Sequence, residues 1–202
     1  MFGLLKPNIM LTKITRDILS QIPENIRLTD EDFAVLKASK GFVVERLDII
    51  TKNFYDTLFN FDKTKKVFHD GEREVREKSF KHWADETLTR DIDEDYWKWQ
   101  TYVGLIHIKR GIKNDIFITM LNYISEMLVE EVVMNLPKEQ AVPILKAWLK
   151  LTATVASLIT EGYRLFYYKA IENVTGLNQK LLDNTVKVEI DNLVAENQQY
   201  RL

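Results

Sequence analysis

Two long apolar stripes at helical spacing constrain this chain's fold more than any other feature. Across residues 116–133, Phe117, Met120, Leu121, Ile124, Met127 and Leu128 recur every three or four positions. From about residue 140 to residue 173, Leu145, Trp148, Leu149, Thr152, Val155, Ala156, Ile159, Tyr163 and Phe166 do the same, with Pro143 tolerated in the first turn. Asn135, Leu136 and Pro137 form a stop between them, so the stripes read as an antiparallel helical pair. Each is too apolar to stand alone in water, and such pairs commonly form part of a dimer interface. Only 7 Gly and 4 Pro punctuate 202 residues, and the single Asp70-Gly71 pair sits among charged helix formers. No tight hairpin separates alternating strands, and the pattern is all-α.

The remaining segments keep the helical period. Residues 1–30 suggest an irregular or short-helical extension; Thr29 can cap a helix over 30–40, with Asp32 three positions on. Gly41 marks a break or a close approach before a helix over 42–58, with Val43, Leu47, Ile50, Phe54 and Leu58 inward and Val44, Thr51 and Tyr55 at the stripe's edge. Residues 59–70 suggest a turn with a helical piece anchored by Phe61 and Phe68. Residues 72–87 read as a charged helix whose main apolar contacts are Val75, Phe80 and Trp83; its polarity suits the surface or one wall of a cofactor slot. Asp91, Asp93, Glu94 and Asp95 open the next helix, where carboxylates complement the positive end of the dipole. Capping suits them better than a magnesium cluster, because no second acidic cluster or phosphate loop accompanies them. A last amphipathic helix over 179–199 carries Leu182, Val186, Ile190 and Leu193. The expected organisation is an N-terminal extension over 1–20, one domain over 21–173 and a separable C-terminal helix over 174–202.

Composition removes several chemistries. With 28 Lys+Arg against 30 Asp+Glu the net charge is −2, which gives no global attraction for nucleic acid or a membrane surface. The chain has no cysteine. Disulfides, thiolate catalysis, cysteine-bound zinc and iron–sulfur clusters are therefore excluded. Lys6, Pro7, Lys13 and Arg16 interrupt the apolar N-terminus, so no export signal is read; the uninterrupted apolar runs fall short of a bilayer span, and a cytoplasmic location is expected.

What remains is one imidazole in an unusual place. In YWKWQTYVGLIHIKRGIKN, residues 96–114, Tyr96, Trp99, Val103 and Ile106 share a helical face with His107. A core histidine satisfied by a backbone carbonyl fits that pattern, and so does an axial ligand to haem iron. His69 and His82 belong to no His-Glu-x-x-His or di-iron spacing, and surface or structural roles are expected for both.

The run YWKWQTYVGLIHIKRGIKNDIF resembles the proximal-helix motif of sensor globins, the branch containing globin-coupled sensors and protoglobins, through Val103, Gly104, Ile106, His107, Lys109 and Gly111. Phe54-Tyr55-Asp56 resembles the same family's distal Phe-Tyr, and residues 81–96 resemble the helix and acidic turn before the proximal helix. The resemblance covers about residues 20–170. It implies a globin fold with a pre-helix and an extra C-terminal helix, and haem b held by His107 as proximal ligand. It implies further that Tyr55 donates a hydrogen bond to a bound diatomic gas (O2, CO or NO), that Val75 stands beside that gas, and that Phe54, Phe68, Val103 and Phe117 line the cofactor. Phe117 stands where the family often carries a tyrosine. A homodimer through the two long apolar helices is expected; no kinase, cyclase or methyl-accepting segment follows residue 202, so the output is expected to be either a separate signalling partner or absent. No enzymatic activity is expected beyond incidental nitric oxide dioxygenation or peroxidation, which would need an outside reductant. A haem-free interaction module on the same fold is the alternative.

Overall fold

A computed structural model describes residues 7–198; the parts of the expected extension and C-terminal helix at 1–6 and 199–202 lie outside the described residues. Nine α-helices follow in order among them: α1 (Pro7–Gln21), α2 (Asp30–Ala38), α3 (Lys40–Asn60), α4 (Asp62–Lys65), α5 (Arg73–Thr89), α6 (Glu94–Lys109), α7 (Asn114–Asn135), α8 (Lys138–Thr175) and α9 (Gln179–Glu196). A single 3-10 turn, Glu24–Ile26, joins α1 to α2. The described residues contain no strand.

The helix boundaries follow local chemistry. Thr29 caps α2 with a full capping box: its hydroxyl accepts from the Asp32 N–H while the Asp32 carboxylate accepts from the Thr29 N–H. The break between α2 and α3 falls at Ser39, which ends one helix and begins the next, with its hydroxyl donating to the Leu36 carbonyl. Gly41 is neither a break nor a close approach. It lies inside the first turn of α3, and a Cβ placed there meets nothing within 4 Å. Asp93 caps α6 by accepting from the Tyr96 N–H at 2.8 Å, a capping role for the acidic cluster. The expected extension contains a regular fifteen-residue helix, α1.

Among the described residues, those up to Gly162 form one compact unit and those from Tyr163 on a second. In the first, α3 packs against α5 and α7, and α1 lies on α6, where the buried hydroxyls of Thr15 and Thr101 are 2.9 Å apart. Ala147, Leu151, Val155 and Leu158 bury the apolar stripe of α8, and Leu128 and Val132 bury that of α7. Trp148 joins the two helices through its indole N–H, which donates to the Ser125 hydroxyl at 3.0 Å. In the second unit Gly176, at φ 75°, ends α8, and Asn178 caps α9 by accepting from the Leu181 N–H. Although no uninterrupted apolar run is long, α8 carries an 18-residue window apolar enough to cross a bilayer, half of it buried within the protein.

α6 and α8 meet at Gly104, where an added Cβ would lie 3.3 Å from the Ile159 Cα. A glycine permits this approach of helix backbone to helix backbone. In a Gly104→Ala variant the gain in helix propensity, about 1 kcal/mol, offsets the crowding. Gly104→Val adds two methyl groups against the same backbone and should lose about 2 kcal/mol or more in chemical denaturation. Equal stability of the valine and alanine variants would contradict this packing.

Candidate functional site

The first unit contains a partly open cavity of about 440 Å3, in the range of small-molecule sites. Six helices and the segment between α4 and α5 build it. α6 presents Trp99, Val103, Ile106, His107 and Arg110 on one face, the three-to-four spacing placing them in a row. α3 contributes Phe54 and Tyr55, α7 contributes Phe117 and Met120, and Val155 and Ile159 of α8 close the wall behind Gly104. Thr64, Val67 and Phe68 come from α4 and the chain after it.

His107 is the cavity's metal-ligand candidate by chemistry. Its Nδ1 lies 2.8 Å from the Val103 carbonyl, one turn back on the same helix. A carbonyl only accepts, so Nδ1 carries the proton and Nε2 keeps its lone pair. No described residue hydrogen-bonds to Nε2. Burial pushes the imidazole pKa below its ordinary 6.5, outweighing the opposing pull of the Val103 carbonyl, and nearby Arg110 lowers it further. The neutral form is therefore the resting one. Phe117 meets the ring edge-on, with centroids 5.3 Å apart, and restricts its rotation. Past His107, α6 ends in a Schellman turn: Gly111, at φ 73°, donates to the Ile108 carbonyl, and Ile112 donates to the His107 carbonyl.

Tyr55 is 6% exposed and ringed by Phe54, Phe59, Phe68 and Phe80, so burial raises its phenol pKa well above the ordinary value. Its hydroxyl donates to the Arg76 carbonyl at 2.8 Å, in the first turn of α5.

Phe54, Tyr55, Phe68, Val103, His107 and Phe117 thus line one cavity. Val75 does not. It is 54% exposed, because the inward row of α5 runs through Arg76, Phe80 and Trp83 and one position back turns about 100° away. The family resemblance implied a place beside the gas for Val75, which the helix phase denies it. His82, exposed yet at the cavity wall, packs edge-on to Trp99, whereas His69 is absent from the lining and donates its backbone N–H to Glu72. Sequence reasoning passed over Arg76, Ser79, Gln100 and Arg110 as wall residues. Their spacing on α5 and α6 was the available signal, but polar side chains do not register in an apolar stripe.

The depressed imidazole pKa gives a pH dependence of defined sign. Below about 6.5 the unfolded chain binds a proton that folded His107 resists, so this contribution is present at higher pH and lost as pH falls from about 6.5 through the folded value. Denaturation midpoints at pH 7 and pH 5.5 should fall less in His107→Asn than in the unaltered protein. An identical fall in both would contradict the shift.

Comparison with known proteins agrees with this architecture. The family model described as Protoglobin matches residues 16–165. An uncharacterized protein of Methanocaldococcus jannaschii is 24% identical over 185 residues, covering 86% of this chain and 94% of that protein. The globin domain of the Geobacter sulfurreducens globin-coupled sensor superposes with a TM-score of 0.65 at 18% identity, over 74% of this chain and 97% of that domain. The ferric globin domain of E. coli DosC gives 0.50 at 10% identity, over 75% and 99%. Identities this low speak for the fold alone. With the family model matched over residues 16–165, most of this chain, and an all-α globin fold of the sensor-globin type, the chain belongs to the protoglobin family.

Proposed function

We propose that this protein binds haem b in the 440 Å3 cavity through His107 and acts as a sensor of a diatomic gas such as O2, CO or NO. The observation that carries the reading is the state of His107: Nδ1 is committed to the Val103 carbonyl, and Nε2 is neutral and free in an aromatic cavity. Among the described residues no group of three or more His, Asp or Glu gathers to hold a bare metal ion. An imidazole donor with no carboxylate beside it suits a metal whose other ligands come from a macrocycle. Arg76 and Arg110 stand in the same wall around Glu72, and the cluster of the three keeps one net positive charge that would face the carboxylates of haem b.

When bound, haem iron supplies a coordination position open to a diatomic gas. Everything else falls to the chain. Val103 fixes the imidazole tautomer and orientation, as an outer partner does for most metal-bound histidines. Phe54, Phe68 and Phe117 keep water from the site. The Tyr55 hydroxyl is the donor for the gas, and it must leave the Arg76 carbonyl to serve. Ile118, Val133 and Met134 of α7 and Val142 and Leu149 of α8 expose apolar surface, which supports a homodimer through these helices as the signalling interface. The reading is of a binding domain and not of an enzyme.

Haemin added to purified protein should produce an intense Soret band, and His107→Ala should abolish it. No Soret band in the unaltered protein would favour a haem-free interaction module, and a band unchanged in His107→Ala would overturn the assignment of His107. Tyr55→Phe should speed oxygen dissociation about tenfold while changing carbon monoxide dissociation little, the difference expected when a hydrogen bond to a charged acceptor is lost. Equal effects on both gases would remove Tyr55 from this role.

A further inference from the structure

Glu72 neither lines the cavity nor touches His107 or Tyr55, yet its carboxylate ties together the segments that carry their surroundings. It is the N-cap residue of α5. The Arg110 guanidinium, at the C-cap of α6, donates to both of its oxygens at 2.7 Å. The pair is shielded, with side-chain exposures of 18% and 12%, and the two-pronged geometry is the strong form of such a contact. Arg110 also donates to the Val67 carbonyl at 2.9 Å, and its backbone N–H bonds to the Ile106 and His107 carbonyls. From the other side, Glu72 accepts the His69 backbone N–H at 3.0 Å and lies 2.9 Å from Arg76 Nε. The Arg76 carbonyl is the acceptor that holds the Tyr55 hydroxyl.

We propose that Glu72 is a positioning residue that couples the two ligand-bearing sides of the cavity. Through Arg110 it sets the C-terminal turn of α6, one turn from His107. Through Arg76 and the first turn of α5 it sets the carbonyl that competes for the Tyr55 hydroxyl. Movement of either turn must carry the other along or break the clasp. The consequence for gas release rests on the haem reading above; the coupling itself does not.

Glu72→Gln keeps the side chain's size and removes its charge. In the haem-free protein, amide hydrogen exchange should quicken roughly tenfold in residues 106–112 and in residues 73–77 together, as expected for loss of a shielded charge-assisted pair. Acceleration confined to one segment, or absent, overturns the coupling. In the haem-loaded protein, Glu72→Gln should slow oxygen dissociation several-fold by loosening the competing carbonyl. That effect should vanish in a Tyr55→Phe background. Unchanged or faster dissociation, or an effect that persists without the hydroxyl, overturns the link to Tyr55. If Glu72→Gln does not fold, Glu72→Asp, a carboxylate one methylene short of both arginines, provides the same readouts. Failure of the unaltered protein to take up haem sinks the haem reading, and the exchange measurement still decides the coupling.

Discussion

The bond between His107 Nδ1 and the Val103 carbonyl decides what the cavity can do. It spends one ring nitrogen on the helix's own backbone and leaves the other as a neutral donor facing an apolar space. Burial reinforces the same outcome by disfavouring the imidazolium. Without that bond the ring could turn or change tautomer, and the space would remain an aromatic hollow with no defined chemistry.

Holding the imidazole there is a task shared along α6. Gly104, three residues before His107, lets α8 approach closely enough for Ile159 to form the rear wall, and Gly111 ends the helix in a turn that uses the His107 carbonyl. On the outer face the Thr15–Thr101 contact fastens α1 to the helix, and Arg16 adds an exposed ion pair to Glu94 that contributes little. The Arg110–Glu72 pair then ties its end to α5. The histidine-bearing helix is thus gripped at its start, middle and end, while its inward row is left to the cavity.

Much of this was legible in the sequence because apolar periodicity reports which face of a helix is buried. The stripes of α7 and α8, the inward row of α6, and Phe54, Tyr55, Phe68 and Phe117 were visible in that way, the last four with the help of family resemblance. The method fails where a wall is polar. On α5 the eye goes to Val75, which is exposed and off the cavity, and passes over Arg76 and Ser79, which line it. The clasp between Glu72 and Arg110 joins positions 38 apart on different helices, and charge pairing across such a distance leaves no local signature. The Ser39 break was likewise hidden, because a serine that both ends and begins a helix looks less like punctuation than Gly41 two residues later.

The most direct test of the account is the iron–imidazole stretching band in the resonance Raman spectrum of the ferrous, haem-loaded protein. With 15N-labelled histidine the band should shift; it should disappear in His107→Gly and return, without the isotope shift, when unlabelled imidazole is supplied. A labelled band that persists unchanged in His107→Gly would place the iron on another histidine and contradict the account.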